Sequence, residues 1–92
     1  MNGFMRPIRI KVYYDKEIQK ITGKDLEEAV VSEGLKYVNM LGFIFASYPE
    51  IEKTYPPGKL GLLLNNQPPK DFDVLEDGDE IMLKTVENHR LR

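Results

Sequence analysis

The stretch KYVNMLGFIFASYP, residues 36–49, decides the fold. Tyr37, Met40, Leu41, Ile44 and Tyr48 recur at the i, i+3, i+4, i+7 spacing that gathers them on one face of an α-helix. A helix over 36–48 is therefore expected. Pro49 ends it, because proline disfavours helical geometry in the residue before it. On the N-terminal side the period changes. Ile8, Ile10, Val12 and Tyr14 alternate with Arg9, Lys11 and Tyr13, as in a strand with one face buried. Leu26 to Val31 is a second strand candidate, although Glu27, Glu28 and Ala29 also suit a helix; Ser32, Glu33 and Gly34 break it. Two strands this close in sequence predict an antiparallel pair. Asp15 to Gly23, between them, reads as a polar connection anchored only by Ile18 and Ile21.

Beyond the helix, Glu50 to Lys59 reads as a charged loop with Pro56, Pro57 and Gly58 at its tip. Leu60, Leu62 and Leu64 alternate with Gly61 and Leu63 as a third strand, expected to be largely buried. Asn65 and Asn66 tolerate the positive φ of a tight turn. Gln67 to Val74 is irregular. Asp77-Gly78-Asp79 signals a turn before a last strand through Ile81, Leu83 and Val86. The polar tail, 87–92, is expected to be flexible. Strand, strand, helix, strand, strand is an α+β order: a mixed sheet of four to five strands with one main helix packed across it, in a single domain over 1–92.

The composition excludes several functions. The chain has 92 residues, a formal net charge of −2 and no cysteine. A domain built to follow phosphates is normally basic, so nucleic acid is not an expected partner. Without cysteine there is no disulfide, thiolate metal site, iron–sulfur cluster or cysteine nucleophile. The longest apolar stretch, Tyr37 to Tyr48, is interrupted by Asn39, Gly42 and Ser47 and falls short of the roughly 20 residues a membrane span needs. No membrane partner and a cytoplasmic location are the expectations.

Several strings in this order resemble the sulfur-carrier family, which includes the molybdopterin-synthase small subunit and the thiamine-pathway carrier. Glu33-Gly34 ahead of the helix and Ser47-Tyr48-Pro49-Glu50-Ile51 at its exit are similar to that family. So is Leu62-Leu63-Leu64-Asn65-Asn66 at the end of a strand. Leu75-Glu76-Asp77-Gly78-Asp79-Glu80-Ile81 resembles the family's signature hairpin most closely. The resemblance spans Ile8 to Val86 and implies a β-grasp, ubiquitin-like fold. It also implies a partner enzyme, an E1-like (ubiquitin-activating type) adenylyltransferase. In the family that enzyme adenylates a C-terminal Gly-Gly, where sulfur is then loaded as a thiocarboxylate. Here the corresponding positions fall near His89 and Arg90. The seven glycines stand at 3, 23, 34, 42, 58, 61 and 78, so no two are adjacent and trimming cannot expose such an end.

No catalytic, cofactor-binding or metal-binding residue set is expected, and an enzyme is not the reading. His89, the single histidine, has no fixed partner for acid–base work in a loose tail. Asp71, Asp73, Glu76, Asp77, Asp79 and Glu80 are acidic, but Val74 and Leu75 interrupt the alternation a calcium loop requires. Ser32, Ser47, Thr22, Thr54 and Thr85 have no histidine arranged near them. The helix offers more. Val38, Gly42 and Phe45 form a second stripe about 110° from the core stripe, and Phe43 and Ala46 extend it. Gly42 costs about 1 kcal/mol of helix propensity relative to alanine, a cost that close approach of another backbone would explain. Either the Pro-rich loop or Phe4 and Met5 fold over this face, or it binds a protein partner or a second copy. Val38, Gly42, Phe43, Phe45 and Ala46 are the candidate interaction residues. The expected function is a non-catalytic interaction subunit or adaptor. The alternatives are a molybdopterin or thiamine sulfur carrier with an atypical tail, and a scaffold with a small-molecule site between helix and sheet.

Overall fold

In β1 (Pro7–Tyr14), the side chains of Ile8, Ile10, Val12 and Tyr14 turn inward, each at most 4% exposed, while the alternate ones face out. The computed structural model to which this strand belongs describes residues 6–56 and 58–86. The remaining elements are α1 (Lys16–Thr22), β2 (Leu26–Ser32), α2 (Tyr37–Ser47), α3 (Pro49–Thr54), β3 (Leu60–Leu64) and β4 (Glu80–Thr85). The sheet runs in the order β2-β1-β4-β3. β1 pairs antiparallel with β2, β3 pairs antiparallel with β4, and the central pair β1–β4 is parallel. A parallel pair needs a long crossover, and everything from α1 to β3 lies between its two strands. This is the expected mixed sheet with a helix across it. The core joins the inward residues of β1 and β4 to Tyr37, Met40 and Ile44 of α2, with Ile18, Ile51 and Leu75.

Three expectations are corrected. The connection read over Asp15–Gly23 is the helix α1. Asp15 caps it by accepting the Ile18 N–H at 2.9 Å, and Ile18 is the buried anchor. Gly23, at φ 78°, closes it by donating its N–H to the Gln19 carbonyl. Two apolar residues suffice here because the helix is only two turns long. The loop read from Glu50 begins instead as α3, with Pro49 at its first position. Proline ends α2 at Tyr48, yet its missing N–H costs nothing in the first turn of the next helix, and its fixed φ suits that turn. Ile51 of α3 is fully buried. Finally, β3 is half-buried along its length rather than largely buried, because it is an edge strand with β4 as its only sheet neighbour among the described residues.

Asn65 and Asn66 do take positive φ, 52° and 66°. Asp77-Gly78-Asp79 is a turn, but not a hairpin tip. It feeds β4 in parallel beside β1: Gly78 donates to the Arg9 carbonyl at 2.8 Å, and Asp77 accepts the Arg9 N–H at 2.8 Å. The expectations for the tail 87–92, His89, Phe4, Met5 and Pro57 lie outside the described residues. No helix among the described residues is long and apolar enough to cross a membrane.

Candidate functional site

α2 starts without a side-chain cap. Its first N–H groups would otherwise lack partners, and the irregular segment after β3 supplies them. Tyr37 donates to the Asp73 carbonyl at 2.8 Å and Val38 to the Asp71 carbonyl at 3.0 Å. Lys36 forms an isolated bridge with Val74, and its ammonium lies 5.4 Å from the centre of the Phe72 ring. This docking leaves Phe72 73%, Val74 53% and Val38 38% exposed around the start of one helix. Sequence reading found Val38 but left Phe72 and Val74 in an irregular stretch. Two apolar residues among carboxylates were the available signal.

The five candidate residues on α2 do not form one face. Val38, Gly42 and Ala46 follow one another at i, i+4 spacing, a line that starts on the same shoulder as Phe45 and reaches the outermost side of the helix at Ala46, and all three are exposed. A Cβ at Gly42 would meet nothing within 4 Å, so no backbone of this chain approaches it among the described residues. Phe43, 55% exposed, stands on the shoulder toward β2, where it lines a narrow groove of about 130 Å³ with Ala29, Val31 and Ser47. Phe45 is on the opposite shoulder. It is half-buried and packed against the core, lining a groove of about 320 Å³ with Tyr55, Leu60 and Leu62. Tyr55 and Gly58 of the Pro-rich segment thus lie beside Phe45, while Val38, Gly42, Phe43 and Ala46 stay exposed.

The polar groups have structural partners. Tyr14 and Tyr48 both donate their hydroxyls to one oxygen of Glu27, at 2.9 and 3.0 Å, and their rings meet edge to face at 6.0 Å. Burial, then the hydrogen bond to Glu27, pushes both phenols above the ordinary tyrosine range. A carboxylate already accepting two protonated phenols is a tie between α2 and the sheet, not a base aimed at a substrate. The acidic run is used the same way. Asp73 accepts the Lys70 N–H and Asp79 accepts the Glu76 N–H, both at 2.8 Å, and Asp79 also accepts from the Asn65 amide at 3.0 Å. Among the described residues no group of three acidic or histidine side chains is placed to hold a metal ion.

On the far side of the sheet, the register lines up Leu26, Tyr13, Met82 and Leu63 in one row across all four strands. Tyr13 donates to Glu80 at 3.2 Å. The sequence shows these residues only as the outward members of each alternation, and the row emerges once the strand order is known.

No family model matches the sequence, and no curated protein matches it. Solved structures do. A Pyrococcus furiosus protein described as a molybdopterin converting factor subunit 1 superposes with a TM-score of 0.73 at 21% identity, over 85% of this chain and 97% of that one. The fold is the β-grasp, ubiquitin-like fold. SAMP1 of Haloferax volcanii shares this β-grasp with a TM-score of 0.74 at 12% identity, over 89% and 99% of the two chains. The small archaeal modifier protein 1 of Methanosarcina acetivorans gives 0.67 at 18%, over 90% and 95%. The resemblance in the Leu75–Ile81 string thus holds for the fold.

Proposed function

We propose that this β-grasp chain is a non-catalytic interaction module that binds a protein partner through the surface at the start of α2. The observation that carries the reading is the exposed apolar set Phe72, Val74 and Val38, gathered by the hydrogen bonds that start the helix. Gly42 and Ala46 continue it along a line with little side-chain bulk. A large exposed aromatic with small apolar neighbours is the composition expected of an interface anchor.

A partner recovered from the native source under mild conditions, identified and then reconstituted, allows the affinity to be measured by calorimetry. Phe72→Ser and Val38→Ser are each expected to weaken binding about tenfold without lowering thermal stability. Unchanged affinity in both variants contradicts the surface. The likeness to a molybdopterin converting factor subunit and to archaeal modifier proteins favours a second reading, a carrier or modifier activated by an E1-like adenylyltransferase through an atypical tail. Thiocarboxylate formation separates the two.

A further inference from the structure

The two edges of the sheet are built differently. In an antiparallel ladder, residues alternate between pointing their N–H and C=O at the neighbouring strand and pointing them away. On β3, Val86 donates to the Lys59 carbonyl at 2.9 Å and Asn65 to the Glu80 carbonyl at 2.7 Å. With the register Leu62↔Leu83, the odd-numbered residues 59 to 65 therefore face β4. Leu60, Leu62 and Leu64 direct their backbone groups outward. Leu64 is already satisfied, because it exchanges both hydrogen bonds with Gln67, at 2.9 and 3.0 Å. That leaves the N–H and C=O of Leu60 and of Leu62 on the open edge, without a partner among the described residues.

Free edges are normally blunted by charge or proline. The opposite edge follows that rule, since β2 carries Glu27 and Glu28. β3, with the sequence LGLLL, has neither. Beneath it lies the groove of about 320 Å³ lined by Phe45, Tyr55, Gly58, Leu60 and Leu62, with Glu52 the one charged residue. An uncharged edge above a mainly apolar groove needs an occupant, and the backbone inventory identifies one.

We infer that β3 pairs antiparallel with β3 of a second copy about a two-fold axis at Gly61, joining two four-stranded sheets into one of eight. In this register Leu60 of each copy faces Leu62 of the other. Four hydrogen bonds form, and they use every one of the free edge groups on both chains. An axis at Leu62 instead sets Leu60 opposite Leu64, whose groups Gln67 has taken, and forms only the Leu62 pair. The match is self-complementary, as an isologous dimer requires. Leu60 and Leu62 belong to the inward set of β3, so the pairing brings each beside its counterpart above the groove and covers its open side. No charged residue of β3 itself enters the seam; Lys59, just before the strand, stands opposite Leu63 of the other copy. Lys84, opposite Gly61, lies three strand spacings from its counterpart, about 14 Å, beyond the screening length of about 8–10 Å. The dimer uses neither the helix-start surface nor a carrier tail, so it stands apart from both functional readings.

Sedimentation equilibrium of the full 92-residue chain tests the pairing. The expected result is a concentration-dependent mass rising to twice 10.7 kDa. The register makes a sharper demand, because Leu63 of one copy then stands opposite Lys59 of the other, twice per dimer. Leu63→Lys is expected to raise the dimer Kd about tenfold, since like charges directly opposite repel. Leu63→Glu, which removes the same side chain, is expected to restore or tighten pairing. The Leu60 and Leu62 amides should exchange more slowly as concentration rises. A monomer at every concentration up to about 1 mM overturns the inference. So does a dimer that Lys and Glu at position 63 affect alike, or one in which those two amides exchange at a rate independent of concentration.

Discussion

The carboxylate of Asp15 joins three parts of the chain. One oxygen accepts the Ile18 N–H at the start of α1, and the other accepts the N–H and the hydroxyl of Thr85, at 2.6 and 2.8 Å, at the end of β4. Burial alone would raise its pKa, but these hydrogen bonds to the charged form outweigh burial and hold it below the ordinary aspartate range. A depressed carboxylate contributes stability that is present above its unfolded pKa and is lost as pH falls through its folded one. Asp15→Ala is expected to cost about 2–3 kcal/mol near neutral pH, for a lost cap and two further bonds, and to flatten the acid limb of a pH-dependent melting series. Tyr37 predicts the opposite sign. It is 1% exposed, its hydroxyl has no partner among the described residues, and burial, then the charge of Asp71, pushes its pKa up to about 12. Its proton is held more tightly in the fold than out of it, so stability falls as pH rises above the ordinary tyrosine value of about 10. Tyr37→Phe removes an unpaired buried hydroxyl, and is expected to be neutral to about 1 kcal/mol stabilising and to weaken the alkaline decline. Urea denaturation at several pH values checks both residues.

Among the elements, the acidic turn before β4 sets where that strand begins. Gly78 holds φ 89°, and a Cβ there would meet nothing within 4 Å, so the cost of a side chain is one of backbone conformation. Gly78→Ala is expected to lose about 1–2 kcal/mol, and Gly78→Asn less, since asparagine tolerates this region. Gly61 is under a different constraint: a Cβ would stand 3.1 Å from Val86 Cγ2 and 3.2 Å from Lys84 Cγ. The strands and α2 were legible because their periods persist for five residues or more. α1 was missed because a two-turn helix holds too few apolar residues to show a period, and its cap, Asp15, reads equally well as a turn residue. α3 is hidden in the sequence because Pro49, which ends α2, also opens the next helix. Phe45 was misplaced by helix geometry alone. The wheel puts it beyond the core stripe, but β3 and the segment after α3 rise beside that shoulder and half-bury it.

For the whole molecule, the strand order β2-β1-β4-β3 brings residues distant in sequence together. It aligns Leu26, Tyr13, Met82 and Leu63 across one face, and it leaves two edges, one charged and one bare. Neither surface could be read from the sequence, because each depends on which strands are neighbours. The resemblance to sulfur carriers was legible in local strings, chiefly Leu75 to Ile81, and the fold agrees with it. The central proposal is that this β-grasp works by contact rather than by carrying sulfur. Intact-mass spectrometry tests it most directly, after incubation with ATP, a sulfur donor and an E1-like adenylyltransferase from the same source. The mass is predicted to remain unchanged. A gain matching replacement of one oxygen by sulfur, localised to the terminal carboxylate, would contradict it.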